Sequence, residues 1–589
     1  MRLNIIYAVA ITIVLSIQFT ACDSGDSGAD ESSELSEVTV RISGEPDNLN
    51  PTRSRSSYAT PIEGLILLPL AEFDPFTYVL TPLIVKERAR VEDIKDGLYA
   101  GGQKYHYEIR EEAVWDDGTP ITGYDYAFTL KAGLNPKVEA AAWRGFLSFI
   151  QDVEVDPDNP KKFAAIVAEP YMLAELITCN FNLFPKHIYD PNGIMDDVRV
   201  ADLSNDSTVE VMIESDPRLE AFARGFASVG YNRDTVEGAG PYKLVEWITG
   251  QHIILERKDN WWGDRVPDAP NLLHAYPRKI TYRIIPDENS AIAALKDGSV
   301  DLMGKVSAPN FIQMRDDPQW QAMFDFHTPE ILQYRYLEIN NRHEILRERA
   351  VRKALAYTVD YRAIIDNVEL GMGERSIGPV SKSKPYYNDK LKPIEQDLDA
   401  ARKLLADAGW KDTNQDGVVD KVIDGRRTEL ELNIITTQSP AGRQVALLVK
   451  ESASKVGIEI EILTKDANAR RQAVNKREFE LLPTQRTTGP SINDPYQLWH
   501  SDSDQPGGSN RAGFRNAEVD EVIGHIRLAK DEEERKQYFF RLQELLYEEQ
   551  PVIFLYIPVE RIIVNKRLKM KPSSRRPGYF ENLFMLSDA

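Results

Sequence analysis

Residues 105–136, YHYEIREEAVWDDGTPITGYDYAFTLKAGLNP, place a strand, a turn and a helix start in one short run. Tyr105, Tyr107 and Ile109 alternate with polar neighbours, the period of a half-buried strand. Asp116-Asp117-Gly118 with Pro120 marks a turn. Thr122 followed three residues later by Asp125 has the spacing of a capping box, so a helix opens there. A chain that switches period this way predicts mixed α/β structure.

The switch recurs on both sides of this stretch. Val38, Val40 and Ile42 alternate as a strand. Val351, Ala354, Leu355 and Thr358 sit at helical spacing, as do Ala401, Leu404, Leu405 and Ala408, with Gly409 placed to stop that helix. Val445, Leu448, Val449 and Ser452 repeat the pattern before Gly457, and Ile458, Ile460 and Ile462 then alternate. A helix ending near Glu549 runs into the apolar strand 552–557. The acidic stretch 188–238 is weakly periodic and reads as an elaborated connection. No short internal repeat appears, which excludes a solenoid.

A chain of 589 residues is too long for one core. Ninety-two acidic side chains against 71 basic ones leave a net charge of −21, a repulsive field for any polyanion, which argues against nucleic-acid binding. The 42% hydrophobic and 28% charged residues are those of a globular protein. Two cysteines, Cys22 and Cys179, cannot make a disulfide scaffold. The one long apolar stretch lies at the N-terminus, so a polytopic membrane protein is excluded.

That N-terminal stretch, residues 1–21, reads as a leader: Arg2 is a thin positive region and residues 5–19 an apolar core. Thr20 and Ala21 precede Cys22, which resembles a bacterial lipobox with Phe19 in place of the usual leucine. The resemblance implies a lipidated Cys22 as mature N-terminus; the alternative is a plain secretory peptide. Residues 22–37 are rich in Ser, Gly, Asp and Glu, the composition of a flexible acidic spacer. Cys179 then has no partner and reads as a packed core residue.

In order, the motifs resemble one family, the extracytoplasmic solute-binding proteins of peptide/nickel-type ABC importers (the oligopeptide- and dipeptide-binding class, family 5). Glu45-Pro46-Asp47-Asn48-Leu49-Asn50-Pro51 matches its opening motif, and 71–75 its next signature. Residues 105–136 and 238–263 (GAGPYKLVEWITGQHIILERKDNWWG) are the most specific blocks. Residues 337–365, 399–410 (DAARKLLADAGW), 493–498 and 543–556 complete the order. The resemblance implies a large two-lobed periplasmic-binding-protein clamp of type II, with the extra subdomain of the peptide-binding class. The implied division is lobe I at 38–75, 188–331 and 555–589, an inserted subdomain at 76–187, and lobe II at 332–554. It further implies capture of oligopeptides between lobes that close by hinge motion, and delivery to an ABC permease and ATPase complex. The expected location is the cell envelope, lipid-anchored and facing the periplasm or the exterior, with no cofactor. An oligosaccharide or another small solute, or a ligand-sensing envelope receptor, remains the alternative.

Most motif residues read as architecture: Trp115 to Gly118 as a turn with an aromatic anchor, Trp261-Trp262-Gly263 as the close of a strand. Glu45, on the connection after the first strand, is a candidate for the cleft edge. The stronger candidate is the loop 486–499 (RTTGPSINDPYQLW), with Arg486, Thr487, Ser491, Tyr496 and Trp499 as ligand-binding residues. Relatives that bind peptides hold the α-ammonium with an aspartate whose place here is Ser491, which cannot supply that countercharge. Arg486 suits a carboxylate or sugar hydroxyl, or else a surface ion pair. Asn510 and Phe514, and Tyr334 at the lobe crossing, complete the candidates; alternation should send Arg335 away from the face of its tyrosine neighbours.

Asp412, Asn414, Asp416 and Asp420 imitate four ligands of an EF-hand loop, but Ile423 stands where the bidentate glutamate belongs. The alternative to structural calcium is an Asx-rich turn. No P-loop, HExxH or GxSxG is present and the eight histidines are scattered; the many carboxylates leave a catalytic pair open by counting, and the resemblance implies binding without catalysis.

Overall fold

The computed structural model describes residues 37–587 except 55, 506–507 and 530. The leader, the Cys22 lipidation site and nearly all of the spacer lie outside the described residues. Two large sheets organise the rest. The first runs in the order 324–327, 562–565, 302–303, 37–42, 279–284, 252–257, 242–248, and the second in the order 373–375, 552–558, 333–339, 481–487, 431–436, 459–464. A four-stranded antiparallel sheet, 90–93, 103–108, 162–167 and 150–155, forms a separate layer within the expected insertion.

The strand Glu37–Ile42 buries Val38 and Val40 fully, and it pairs in parallel with Lys279–Ile284 and Leu302–Met303. The helix Gly123–Leu134 opens on the expected capping box: the Thr122 backbone N–H donates to Asp125 Oδ2 at 2.9 Å. Gly409 and Gly457 follow their helices with φ of 89° and 83°, backbone that costs glycine nothing.

The family-like blocks lock two distant segments together. The indoles of Trp261 and Trp262 both donate to the Ala239 carbonyl, at 3.0 and 2.9 Å. Gly238 and Gly240 lie against the end of the helix Ala59–Ile66, where a Cβ on either would stand 2.4 Å from a carbonyl oxygen. Buried Lys258 pairs with Asp116 at 2.6 Å and donates to the Gly238 carbonyl, so the turn at 115–118 is tied to the same knot.

The chain crosses between the two large sheets after His327 and again after Pro558. At the crossing Arg561 donates to the Val306 carbonyl at 2.6 Å and to Glu369 at 3.2 Å, while the Tyr556 hydroxyl donates to the other Glu369 oxygen at 3.0 Å. The strand Val552–Pro558 runs through the position 554/555 at which the sequence reading ended lobe II. It stays in the second sheet to Pro558 because its buried, unbroken apolar face pairs with 333–339 and then 373–375.

The connection 188–238 is more regular than its composition suggests. It holds the helices Asp206–Ser215 and Pro217–Phe226, the latter capped by Asp216 with proline at its start. Leu219, Phe222, Ala223 and Phe226 form its buried stripe.

Candidate functional site

In open sheets with parallel strands, ligands gather outside the carboxyl ends of the strands. Both large sheets have a cavity there. In the first, Arg41, Ser43, Tyr58 and Lys305 line a pocket beyond the ends of Glu37–Ile42 and Leu302–Met303. Lys305 Nζ stands 4.4 Å over the Tyr58 ring, and the Ser43 and Tyr58 hydroxyls are 2.8 Å apart.

In the second sheet two adjoining pockets open beside the end of Leu481–Thr487. Tyr334, Arg486, Leu498 and Trp499 border both. One chamber is aromatic and aliphatic, with Lys384 and Asp494 as its other charged groups; the second holds Glu338 and Arg511. Strand alternation explains the floor. Along Gln333–Ile339, Tyr334 and Tyr336 lie in the core beneath the helices Ala517–Leu528 and Glu532–Glu549, while Leu337 and Ile339 join the core on the opposite face. Glu338 shares the tyrosine face.

Electrostatically the joint cavity is uneven. Glu338 is 5% exposed, and its Oε2 is buried with no hydrogen-bond partner among the described residues. Burial pushes its carboxyl above the usual range, opposed by Arg511, Arg477, Arg486 and Arg470. Lys384 Nζ donates to the Ser491 carbonyl at 2.7 Å, and burial pulls its ammonium down to about 8. Asp494 accepts from the Tyr171 hydroxyl at 2.8 Å and the Tyr496 amide at 2.9 Å, and is ion-paired with Arg527 at 3.1 Å. Among the described residues no hydrogen bond or ion pair engages the Arg486 guanidinium.

Of the candidates read from sequence, Tyr334, Arg486 and Trp499 line this joint cavity. Thr487 is not in its lining and accepts from Gln333 at 3.0 Å, and Ser491 meets Lys384 only through its backbone. Tyr496 is covered by His500, stacked at 4.2 Å, and by Arg527 at 4.6 Å. Asn510 and Phe514 are core residues: fully buried Asn510 donates to the His500 and Phe514 carbonyls and accepts from the Phe514 amide, stapling its own loop. Glu45 has both oxygens engaged, by the Trp247 indole at 2.6 Å and the Gly250 amide at 3.0 Å.

The sequence reading missed Lys384 and Glu338. Lys384 stands in an irregular loop with no period to expose it. Glu338 was visible as an acid in step with Tyr334 and Tyr336 on a core-facing strand, a costly position for a carboxylate.

In the loop 412–424, Asp412 accepts from the Gln415 and Gly417 amides, Asp416 from that of Val418, and Asp420 from Thr413. Asn414 donates to Asp416. These are Asx-type turn bonds, and among the described residues no cluster of three or more His, Cys, Asp or Glu is placed to hold a metal ion.

The family model for bacterial extracellular solute-binding proteins, family 5 middle, matches residues 98–509. The chain belongs to that family. This solute-binding protein is similar to the oligopeptide-binding protein AppA of Bacillus subtilis (strain 168), with 26% identity over 584 residues, 96% of each chain. Its fold matches the structure of Bacillus subtilis AppA in complex with a nonapeptide, with a TM-score of 0.64 and 23% identity over 94% of this chain and 99% of that one. It also matches NikA from Brucella suis in complex with Fe(III)-EDTA, with a TM-score of 0.70 and 20% identity over 94% and 100%. The solute-binding protein is therefore an α/β two-lobed clamp of an extracytoplasmic, non-enzymatic family. Among its described residues no helix is long and apolar enough to cross a membrane.

Proposed function

We propose that this solute-binding protein captures oligopeptides between its lobes and delivers them to the permease of an ABC importer, held at the membrane by a lipid on Cys22. The observation that carries the reading is the likeness to an oligopeptide-binding relative along 96% of both chains. The cavities at the carboxyl ends of both sheets support it, since a ligand touching both would favour the closed clamp over the open one. Lipidation rests on the sequence at 19–22 alone.

The oligosaccharide alternative needs an open aromatic face for stacking. Trp499 is buried against Phe554 at 6.4 Å, and Tyr496 carries His500 and Arg527 on its ring. These contacts favour peptide.

The test is the melting temperature of ligand-stripped protein with a casein digest and with a maltodextrin series. A rise with the digest alone supports peptide capture. A rise with maltodextrin alone moves the assignment to sugar.

A further inference from the structure

The pocket that holds Glu338 is lined by polar side chains whose tips meet no protein partner. Tyr334, Tyr336 and Glu338 reach it from the strand Gln333–Ile339, Arg486 from the strand Leu481–Thr487, and Ser509 and Arg511 from the loop that follows Trp499. Among the described residues no hydrogen bond or ion pair engages any of these six side chains. Both guanidinium groups can only donate, and the three hydroxyls can donate. Glu338 is 5% exposed with a partnerless Oε2, and burial favours its neutral form, which donates as well. The surroundings add positive charge and do not cancel it. Arg470 and Arg477 also act on Glu338, and they bond to the carbonyls of Pro483, Gln505 and Gly508 instead of to an acid. Asp504, in the same loop as Arg511, is already paired with Arg342 and Arg515. In a chain of net charge −21 this is a local concentration of unneutralised cations and idle donors.

Such a pocket fits an acceptor that is anionic and carries oxygens on several sides. A carboxylate presents its two oxygens in one plane, whereas these donors converge from three segments of chain. A phosphate group presents three free oxygens and nearly two negative charges. We propose that this pocket binds a phosphate group, either the free ion or a monoester carried by a larger ligand, with Arg511 and Arg486 on its charge and Tyr336, Ser509 and Glu338 donating to its oxygens. The pocket adjoins the apolar chamber through Tyr334 and Trp499, so one ligand can fill both. The site stands on its own donors; carriage of the phosphate on a peptide rests on the peptide-receptor reading.

The experiment measures the melting temperature of ligand-stripped protein in inorganic phosphate and in acetate at matched ionic strength. Calorimetry then compares two pentapeptide pools, one with O-phosphoserine at a single random position and one with serine there. Wild type, R511M and E338Q are taken through both. The expected result is a rise in melting temperature with phosphate but not acetate, and binding of the phosphorylated pool tighter by roughly tenfold or more. Both effects should be lost in R511M and kept in E338Q, whose amide still donates. A rise with inorganic phosphate and no preference between the pools assigns the site to the free ion, while a preference for the phosphorylated pool assigns it to a monoester. Equal responses to phosphate and acetate, with equal affinity for the two pools, overturn the proposal and leave the peptide-receptor reading standing. Binding of neither pool overturns that reading, and the phosphate arm then decides the site alone. R511M removes a side chain that has no partner among the described residues, so the fold is not at stake.

Discussion

The Tyr171 hydroxyl donates to the Asp494 carboxylate at 2.8 Å, joining the segment after the strand Lys162–Val167 to the cavity loop 486–499. Arg527 completes the joint, ion-paired with Asp494 at 3.1 Å with its guanidinium 5.3 Å from the Tyr171 ring and 4.6 Å from the Tyr496 ring. Asp494 thus has partners from its own loop and helix as well as from the segment that carries Tyr171. The contact therefore favours whichever arrangement keeps the two segments together.

Y171F removes the hydrogen bond and keeps the ring. Its expected cost in overall stability is about 1 kcal/mol. The informative readout is small-angle scattering of the ligand-free protein, where the variant should have the larger radius of gyration. An unchanged radius would show that this bond does not bias the opening of the clamp.

Glu63 makes the protein sensitive to alkali. Burial, reinforced by Asp47, pushes its carboxyl up to about 8 from an ordinary 4.5. Between those values the native state keeps a proton that the unfolded chain releases, so this group's contribution to stability falls as pH rises through the window. E63Q cannot ionise. It should match wild type near pH 4.5 and exceed it by on the order of 4 kcal/mol at most above pH 8. Urea unfolding at pH 5 and pH 8.5 checks this; a gap independent of pH would contradict it.

Removing one partner of the Lys258–Asp116 pair strands a charge in a buried setting. D116N leaves the Lys258 ammonium, whose side chain is 8% exposed, with the Gly238 carbonyl and the neighbouring Glu237. The expected loss is about 3 kcal/mol by denaturant unfolding, and K258M/D116N should recover part of it. Additive losses in the double variant would mean the pair is not coupled.

G238A tests why the block 238–263 begins with small residues. The added methyl would meet the Ile66 carbonyl at 2.4 Å and a Leu67 methyl at 2.5 Å, and the backbone behind it cannot yield cheaply. A loss of about 2–4 kcal/mol is expected, against near-neutrality for G225A, where a Cβ meets nothing within 4 Å.

The fold was legible where burial imposes a period. Val38 and Val40, or Ala401 and Leu405, report directly which face meets the core, and the helices and strands there lie where their spacing puts them. The helical connection near 217–226 was harder to read because its stripe of Leu219, Phe222, Ala223 and Phe226 is diluted by charged neighbours. The site was legible only in part for a different reason. Arg486 and Trp499 reach one cavity with Lys384, more than a hundred residues earlier, through a loop that has no period. Asn510 looks in sequence like a residue free for a ligand, yet its amide is consumed by its own loop, a local geometry that residue type does not reveal.

The central claim is that the clamp holds peptide. Native mass spectrometry of the protein lacking residues 1–22, purified gently from its own host, tests it most directly. The account predicts a co-purifying ladder of peptide masses whose removal lowers the melting temperature. A bound hexose series, or any single non-peptide mass with the same stabilising effect, would contradict it.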